Sequence, residues 1–251
     1  MAKRASRSQD EEPDAAPSHR PAVLLTCEHA SKDVPARYAE WFEGRERVLD
    51  SHRGWDPGAA ELARKLGRAL RVPVIAGRWT RLLVDLNRPP GHDEVLSHFV
   101  AGLDDDERAR LLDEVHARHW RTVTERLLEL GEGGKRRVVH LGVHSFTPVR
   151  RGERRLLDVG ILFDPERTAE KAFAETLRAA IEARDGRLRV RFNEPYLGIH
   201  PGLTTALRKV VGDPGYAGIE LEVNQRFARG VEERWRDVVE VLVGAIREAV
   251  G

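Results

Sequence analysis

The stretch Val138-Val-His-Leu-Gly-Val-His-Ser-Phe-Thr-Pro148 decides the fold, because it predicts a buried strand that runs into a polar turn. Its apolar residues, Val139, Leu141 and Val143 among them, form a near-continuous run, which is typical of a central strand in a parallel sheet. His144 stands at the carboxyl end of this strand, where open α/β sheets bind their ligands. His144 is therefore the first candidate for a functional residue. The alternative is a histidine that makes one ordinary hydrogen bond at a strand end.

On both sides of this strand, short apolar runs alternate with amphipathic helical patterns. Further strands are predicted at residues 22–26, 72–76, 157–163, 188–192 and 217–223, with another short apolar run at 82–86. Helices are predicted at residues 38–42, 57–70, 104–127, 168–184, 204–211 and 232–250. Strands that alternate with helices indicate an α/β protein with a largely parallel or mixed sheet.

The chain divides into a short tail and one folded unit. Residues 1–20 are polar, charged and rich in Pro, Ala and Ser, which predicts a disordered tail. Residues 21–251 carry neither an internal repeat nor a linker-like stretch, and their length suits one large α/β domain. We therefore predict a single domain over residues 21–251.

The composition excludes several classes of protein. The 42 Lys and Arg nearly balance the 41 Asp and Glu, so the net charge of +1 predicts no nucleic-acid partner. A single cysteine excludes an internal disulfide and a cysteine-rich zinc site. No apolar run approaches the ~20 residues needed to cross a bilayer, and the charged N-terminus lacks the apolar core of a secretory signal. We expect a cytoplasmic enzyme with a small-molecule substrate, as a monomer or a small homo-oligomer.

Several of the predicted strands and apolar runs end in polar clusters. These clusters are Glu28-His29, Asn87-Arg88, His144-Ser145 and Glu222-Val-Asn224. Because crossovers in a parallel sheet bring the strand ends to one edge, we expect these side chains to converge on one cleft. Zinc prefers imidazole and carboxylate ligands, and catalytic sites leave one position open for water. Zinc can lower the pKa of that water to ~7, and a nearby carboxylate can then move its proton.

Three common catalytic motifs do not occur in the sequence. They are the phosphate-binding loop Gly-x-x-x-x-Gly-Lys-Ser/Thr, a Gly-x-Gly-x-x-Gly after a strand, and the nucleophile elbow Gly-x-Ser-x-Gly. A serine hydrolase is therefore not favoured.

Six motifs together make the chain resemble the N-formylglutamate amidohydrolase family, from about Val23 to Phe227. The motifs are Cys27-Glu-His-Ala-Ser, Trp55-Asp-Pro-Gly-Ala, Arg81 through Asp85-Leu-Asn-Arg-Pro, Val143-His-Ser-Phe-Thr-Pro, Asn193-Glu-Pro-Tyr and Glu220-Leu-Glu-Val-Asn. The family is similar in outline to zinc carboxypeptidases and aspartoacylases. The resemblance implies a three-layer helix-sheet-helix fold with a mixed, mostly parallel central sheet, like that of the zinc carboxypeptidases and of phosphorylase/hydrolase-like proteins.

The resemblance also implies one zinc ion, held by His29 and His144. The related zinc enzymes supply their second ligand as a Glu three residues after the first His, but this chain has Lys32 there, which cannot ligate while protonated. Asp56 is the preferred replacement, because it opens the helix that follows the first strand. A plain helix N-cap is the alternative for Asp56, and Glu28 or His52 are the alternative ligands.

The remaining roles follow from the same resemblance. Glu222 is the expected general base, with a solvent-facing strand residue as the alternative. Arg81 is expected to stabilise the oxyanion, an interaction that can be worth ~3 kcal/mol of barrier. Arg88, with Asn87, is expected to clamp a substrate carboxylate, and a surface charge is the alternative for each arginine.

Further contacts with the substrate are expected from Ser145, Tyr196 and Asn224. The loop at residues 193–202 is a candidate to close over the site and to bring Tyr196 or His200 to the substrate. An ordinary surface loop is the alternative.

The function implied is hydrolysis of the linear amide of a small N-acyl amino acid that carries a carboxylate. The expected reaction converts N-formyl-L-glutamate to formate and glutamate. Removal of another acyl group, or trimming of peptides as in carboxypeptidases, is an alternative within enzymes. A small-molecule binding protein that kept the fold without activity is the alternative from another class.

Overall fold

A six-stranded sheet forms the middle of the molecule in the computed structural model, which describes residues 20–251. The strands of this sheet are β1 (Ala22–Cys27), β2 (Val74–Ala76), β3 (Val138–Phe146), β6 (Val159–Leu162), β7 (Val190–Phe192) and β8 (Tyr216–Asn224), and a separate hairpin consists of β4 (Val149–Arg150) and β5 (Glu153–Arg154). The predicted disordered tail covers residues 1–20. Residues 1–19 of it lie outside the described range, which begins at Arg20.

The strand order is β2-β1-β3-β8-β6-β7. Neighbouring strands are parallel except for β6 and β8, which are antiparallel. The prediction of a mixed, mostly parallel sheet is therefore confirmed. The strand that carries His144, β3, lies inside the sheet, between β1 and β8.

The α-helices are α1 (Glu46–Leu49), α2 (Ala59–Leu70), α3 (Asp105–Leu111), α4 (Arg118–Leu130), α5 (Thr168–Arg184), α6 (Leu203–Leu207), α7 (Gln225–Ala228) and α8 (Glu232–Val250). Short 3-10 helices lie at Ala36–Phe42, His98–Val100 and Glu132–Gly134. A π-helical segment, Leu112–Ala117, separates α3 from α4, so the predicted long helix consists of three parts.

The alternation of side chains along β3 gives the sheet two different faces. Val139, Leu141 and Val143 belong to the large apolar core that the sheet forms with α2, α5 and α8. On the other face, Val138 packs with residues of α4 and α6. Helices therefore cover both faces, and the three-layer prediction is confirmed.

The second face of the sheet is unusually polar. His140 and His144 of β3 are buried on it, with Gly142 between them. The register places Thr26 of β1 and Glu220 of β8 on either side of Gly142. Buried polar groups of this kind need partners, so the polar functional groups concentrate on one side of the sheet.

The predicted start of one helix is wrong. Helix α2 begins at Ala59, and its N-cap is Gly58, which has a left-handed backbone with φ of 86°. The Asp56 side chain therefore caps no helix and is free for another use. Helix α5 begins at Thr168, as predicted, and Asp213 accepts from the Thr168 amide at 3.1 Å.

The apolar run 82–86 is not a strand of the sheet. Val84 makes a single antiparallel bridge with Leu96, and the surrounding residues form a separate apolar cluster with Tyr38 and Phe42. This cluster, together with the turns around it, covers the carboxyl end of the sheet. We call this region the cap. Among residues 20–251, no helix combines the length and the apolar content that a membrane crossing requires.

Candidate metal centre and substrate cleft

A cleft of about 740 Å³ lies at the carboxyl ends of the parallel strands. Its lining includes the end of β1 at His29, the end of β3 at His144 and the end of β8 at Glu222. Arg81 and Arg88 reach it from the cap. The expected convergence of the polar clusters on one cleft is therefore observed for these residues.

The three predicted metal ligands meet at the bottom of this cleft. His29, Asp56 and His144 each offer a ligand atom, and these atoms all lie within 4.8 Å of one another. The two imidazole centroids are 5.1 Å apart. Oδ2 of Asp56 lies 3.0 Å from Nδ1 of His144 and 3.4 Å from Nδ1 of His29. All three residues are at most 4% exposed.

The turn before α2 positions Asp56. The Asp56 amide donates to the carbonyl of His29 at 3.0 Å, which holds this turn against the end of β1. The Ser145 amide donates to Oδ2 of Asp56 at 3.3 Å, and the Ser145 hydroxyl donates to the carbonyl of Pro57 at 2.8 Å. Gly58 then takes the left-handed conformation that turns the chain into the helix.

The second nitrogen of each histidine faces a carboxylate. Nε2 of His29 lies 2.7 Å from Oδ1 of Asp85, and Nε2 of His144 lies 3.0 Å from Oε2 of Glu28. A carboxylate at one imidazole nitrogen fixes the tautomer and increases the basicity of the nitrogen that faces a metal. Both Nδ1 atoms therefore face Asp56 while both Nε2 atoms face outer carboxylates.

The pKa shifts follow from this arrangement of charges. Burial opposes charge on His144, but the contacts with Asp56 and Glu28 outweigh it and raise the pKa of His144 well above its usual value. Burial also opposes the charge of Asp56, yet the two histidines lower the pKa of its carboxyl. The Asp56 carboxylate therefore favours positive charge beside it, at the two imidazoles.

This donor set fits a divalent transition metal. Two imidazoles and one carboxylate on the same point are the ligands of many catalytic zinc sites, which keep a fourth position open. The cleft opens directly onto His29, Asp56 and His144, so a fourth position would face the substrate space. Glu28, one of the alternative ligands, lies on the far side of His144. His52, the other, is an exposed residue of the cleft lining.

Glu222 is the carboxylate that stands beside this group without a partner. It pairs with His144 across β3 and β8, lines the cleft and is 6% exposed. Its Oε2 atom is buried and accepts no hydrogen bond from any residue in the range 20–251. Burial, with the negative charges of Asp56 and Glu220, raises the pKa of Glu222 to about 8. Glu222 can therefore hold or release a proton near neutral pH.

Arg81 links the cap to the metal ligands. Its Nη2 donates to Oδ2 of Asp85 at 2.7 Å, and its Nη1 lies 3.7 Å from Oδ1 of Asp56. Burial works against the charge, but the two carboxylates dominate and raise the pKa of Arg81 further. A permanent positive charge therefore stands at the cleft wall.

Arg88 and Asn87 line the cleft in different ways. Nη2 of Arg88 lies 3.0 Å from Oε2 of the exposed Glu94. The side-chain oxygen of Asn87 accepts from the Leu203 amide at 2.9 Å, and its amide nitrogen lies 3.5 Å from Glu220. The only ion-pair partner of Arg88 among the described residues is thus the exposed Glu94. Asn87, in contrast, joins the cap to β8 and α6.

The other three predicted substrate contacts separate into two groups. Ser145 and Tyr196 line the cleft, and the Tyr196 hydroxyl accepts from Arg155 at 3.1 Å. Asn224 is fully buried away from the cleft lining, where its amide donates to the Leu157 carbonyl at 2.9 Å and its oxygen accepts from the Arg226 amide. Asn224 therefore holds the end of β8, outside the cleft lining.

The loop at residues 193–202 forms one wall of the cleft and is anchored from behind. Nη1 of Arg208 donates to the carbonyl of Gly198 at 2.6 Å, while Nε and Nη2 of Arg208 each lie 2.9 Å from an oxygen of the buried Glu170. Gly198 itself packs so closely on Phe163 that a Cβ would lie 2.2 Å from the backbone nitrogen of Phe163.

Sequence reasoning missed two residues that organise the site. Asp85 binds both His29 and Arg81, although it was only part of a matched motif. An aspartate inside the apolar run 82–86 was the available signal, because a buried carboxylate requires a partner. His119 lies 3.8 Å from Glu28, and its place on a helix face with Trp120 gave it the pattern of a core residue.

Comparison with known proteins gives one family and several similar solved structures. The family model for N-formylglutamate amidohydrolase matches residues 21–228. A gene product of Agrobacterium tumefaciens is 28% identical, with 91% of each chain covered and a TM-score of 0.72. The N-formylglutamate amidohydrolase of Ralstonia eutropha JMP134 is 18% identical, with 93% of this chain and 96% of that one covered and a TM-score of 0.57, which shows a shared fold. A search of curated proteins gave no match.

Proposed function

Since the chain belongs to the N-formylglutamate amidohydrolase family, we propose that it hydrolyses N-formyl-L-glutamate to formate and glutamate with one zinc ion as cofactor. The family makes the protein a hydrolase that acts on amide bonds, with a small-molecule substrate. The observation that carries the proposal is the buried group His29, Asp56 and His144 beside the unpartnered carboxylate of Glu222. The cytoplasmic location and the monomeric or small oligomeric state stay predictions from the sequence.

His29, Asp56 and His144 are the proposed zinc ligands, through Nδ1 of each histidine and a carboxylate oxygen. When bound there, zinc would polarise the amide carbonyl, lower the pKa of water and, as a neighbouring positive charge, favour the ionised form of Glu222. The outer carboxylate of Asp85, 2.7 Å from Nε2 of His29, favours a proton on that nitrogen.

Glu222 is the proposed general base and general acid. Its free Oε2 takes a proton from the water whose oxygen attacks the formyl carbon. The carbon–nitrogen bond then breaks, and Glu222 gives the proton to the leaving nitrogen, so that the carboxyl group is ready for the next cycle. Proton transfer of this kind contributes roughly 10²–10⁴-fold in rate.

Arg81 is the proposed stabiliser of the oxygen that becomes negative during the attack. Its guanidinium is fixed by Asp85 and Asp56, so its charge requires no reorientation when the oxyanion forms. Asp56 and Asp85 in turn keep the arginine at the cleft wall.

Arg88 is the proposed partner of a substrate carboxylate, with Tyr196 and Ser145 as further contacts in the cleft. The exposed ion pair of Arg88 with Glu94 is of a kind worth ~1 kcal/mol or less, so a substrate carboxylate can displace Glu94. Asn87 acts with Arg88 by fixing the turn that carries it.

A substrate panel on zinc-loaded and metal-stripped enzyme tests this function. We expect turnover of N-formyl-L-glutamate in the loaded wild type, loss of turnover on stripping and recovery on addition of zinc. N-acetyl-L-glutamate and short peptides serve as competing substrates, and Asp56→Asn serves as the ligand-deficient control. Turnover of peptides alone, or equal turnover by stripped and loaded enzyme, would contradict the proposal.

A further inference from the structure

We propose that Glu28 is a positioning residue that fixes the tautomer and the orientation of the His144 ring, and that His119 holds Glu28 in place. The inference rests on the proposed zinc centre and extends it to a helix that does not touch that centre. It starts from three buried atoms that have no hydrogen-bond partner in the described part of the chain. These atoms are Oε1 of Glu28, Nε2 of His119 and Nε2 of His144.

The three atoms belong to one cluster. Oε2 of Glu28 lies 3.0 Å from Nε2 of His144, and Oε1 of Glu28 lies 3.8 Å from Nε2 of His119. Glu28 is 2% exposed, His144 3% and His119 9%. The close contact of Glu28 with His144 is an ion pair whose angle falls short of a regular hydrogen bond. Water does not screen it, because the cluster is buried.

The backbone explains why Glu28 is beside His144. Thr26 of β1 pairs with Gly142 of β3, so Glu28, two residues further on, comes level with His144. Gly142 lies beside the His144 ring, since a Cβ there would be in ordinary van der Waals contact with Nε2 of His144, at 3.6 Å. Gly77 packs against the Glu28 carbonyl so closely that a Cβ would lie 1.9 Å from it. Glu28 is therefore enclosed between strands and cap.

The tautomers of imidazole explain what the Glu28 carboxylate would do. A neutral imidazole carries one proton, and only the nitrogen without it can bind a metal. Asp56 faces Nδ1 of His144, so the proton has to be on Nε2 when that nitrogen ligates. The Glu28 carboxylate stabilises a proton at Nε2, as Asp85 does for His29. Without Glu28, the buried Nε2–H would have no acceptor, or the proton would move to Nδ1 and block the metal.

His119 contacts the Glu28 carboxylate at the oxygen that does not face His144. It stands in the first turn of α4, directly after the π-helical segment. The same helix face is fixed to the cap, because Trp120 donates to the Leu86 carbonyl at 2.9 Å and Nε2 of His116 lies 2.7 Å from the Arg88 carbonyl. His119 thus meets Glu28 from a fixed helix and limits where the carboxylate can lie.

Zinc affinity of the metal-stripped protein tests the inference. It is measured by competition with a chromophoric chelator for the wild type and for Glu28→Gln, Glu28→Ala and His119→Gln. We expect Glu28→Ala to weaken zinc binding by roughly 10–100-fold, Glu28→Gln to weaken it less and His119→Gln to weaken it least. Glu220→Gln is the matched control, because it removes the same charge from the same sheet face without touching a proposed ligand. A loss in Glu220→Gln as large as in Glu28→Gln would overturn the inference.

A second measurement, nitrogen NMR, reports which nitrogen of the His144 ring carries the proton. In ¹⁵N-labelled, zinc-loaded wild type we expect the His144 ring to carry its proton on Nε2. We expect Glu28→Ala to lose that signal or to shift it, while Glu28→Gln retains it in part. If Glu28→Ala does not fold, Glu28→Gln and His119→Gln carry the test, and wild-type affinity in both overturns the inference. Absence of zinc binding in the wild type would instead contradict the proposed function.

Discussion

At the scale of single residues, Glu222 is the sharpest case, because its carboxylate is buried in the cleft with one oxygen unpaired. We expect Glu222→Gln to keep zinc affinity within about 2-fold and to lose roughly 10²–10⁴-fold in turnover, since the amide cannot accept the proton of water. Steady-state kinetics and zinc titration of the same preparation measure both quantities.

Glu153→Gln provides the comparison for Glu222→Gln. Glu153 is exposed on the β4–β5 hairpin, so this variant carries the same chemical change away from the cleft. Turnover of Glu222→Gln within about 3-fold of the wild type would exclude the general-base role.

His140 is expected to make stability depend on pH. Burial lowers the pKa of His140 to about 4 from the ordinary 6.5, and its ring is paired with Thr26 and with the Tyr216 hydroxyl. Between these two values the unfolded chain binds a proton that the folded chain does not. The stabilisation is therefore complete above about pH 6.5 and is lost as the pH falls towards 4, by about 3 kcal/mol.

The difference in free energy of unfolding between wild type and His140→Gln isolates this residue. Urea unfolding of the metal-stripped proteins at pH 7, 6, 5 and 4 supplies the curve. We expect the advantage of the wild type to shrink by about 3 kcal/mol over that range. Parallel curves for the two proteins would show that His140 does not titrate as stated.

At the scale of elements, the turn between β1 and α2 determines whether Asp56 can serve the site. Gly58 has φ of 86°, and a Cβ there would lie 2.6 Å from that of Ala228. We expect Gly58→Ala to lose about 2–4 kcal/mol of unfolding free energy, from left-handed strain and from overlap, and to weaken zinc binding as well. Urea denaturation and zinc titration measure the two effects.

Gly212→Ala is the control for that substitution. A Cβ at Gly212 would meet nothing within 4 Å. We expect its unfolding free energy to stay within about 0.5 kcal/mol of the wild type. Equal stability of Gly58→Ala and Gly212→Ala would show that the turn tolerates a side chain.

The elements also show where sequence patterns are sufficient. Helix α8 begins and ends as predicted, at Glu232 and Val250, because a long apolar stripe defines it. The long predicted helix before β3 contains the π-helical segment Leu112–Ala117, which a period of 3.6 residues cannot indicate. The apolar run 82–86 has the composition of a strand, and only tertiary packing makes it part of the cap.

At the scale of the whole molecule, the proposed ligands tie separate parts of the chain together. His29 follows β1, Asp56 precedes α2 and His144 ends β3, while Asp85 holds His29 from the cap. A ligand that binds only the folded state at 100 times its dissociation constant adds about 2.7 kcal/mol. We therefore expect zinc to raise the thermal midpoint by roughly 5–10 °C at that excess.

Calorimetry with and without zinc measures this shift. Asp56→Asn is expected to lose most of it, because the amide is a weak ligand, while its fold is kept. A wild type whose midpoint does not respond to zinc would count against the metal centre.

The part of the site that lies at the ends of neighbouring strands could be predicted from the sequence. His29 follows β1, and His144 and Glu222 lie near the carboxyl ends of β3 and β8. Asp56 was preferred from its place in the chain, so these four side chains could be expected to share one cleft. The outer partners Asp85, Glu28 and His119 could not be assigned, because their roles depend on which atom faces which. Asn224 shows the converse, since a residue of a matched motif serves the backbone of β8.

The anchoring of the loop at residues 193–202 has a practical consequence for engineering. Its backbone is fixed from behind by Arg208, which Glu170 holds in place, while Tyr196, Leu197 and His200 line the cleft. Libraries randomised at these three positions would therefore vary the shape of the entrance on a constant frame. Selection from such libraries would show how the shape of the entrance determines which substrates the cleft accepts.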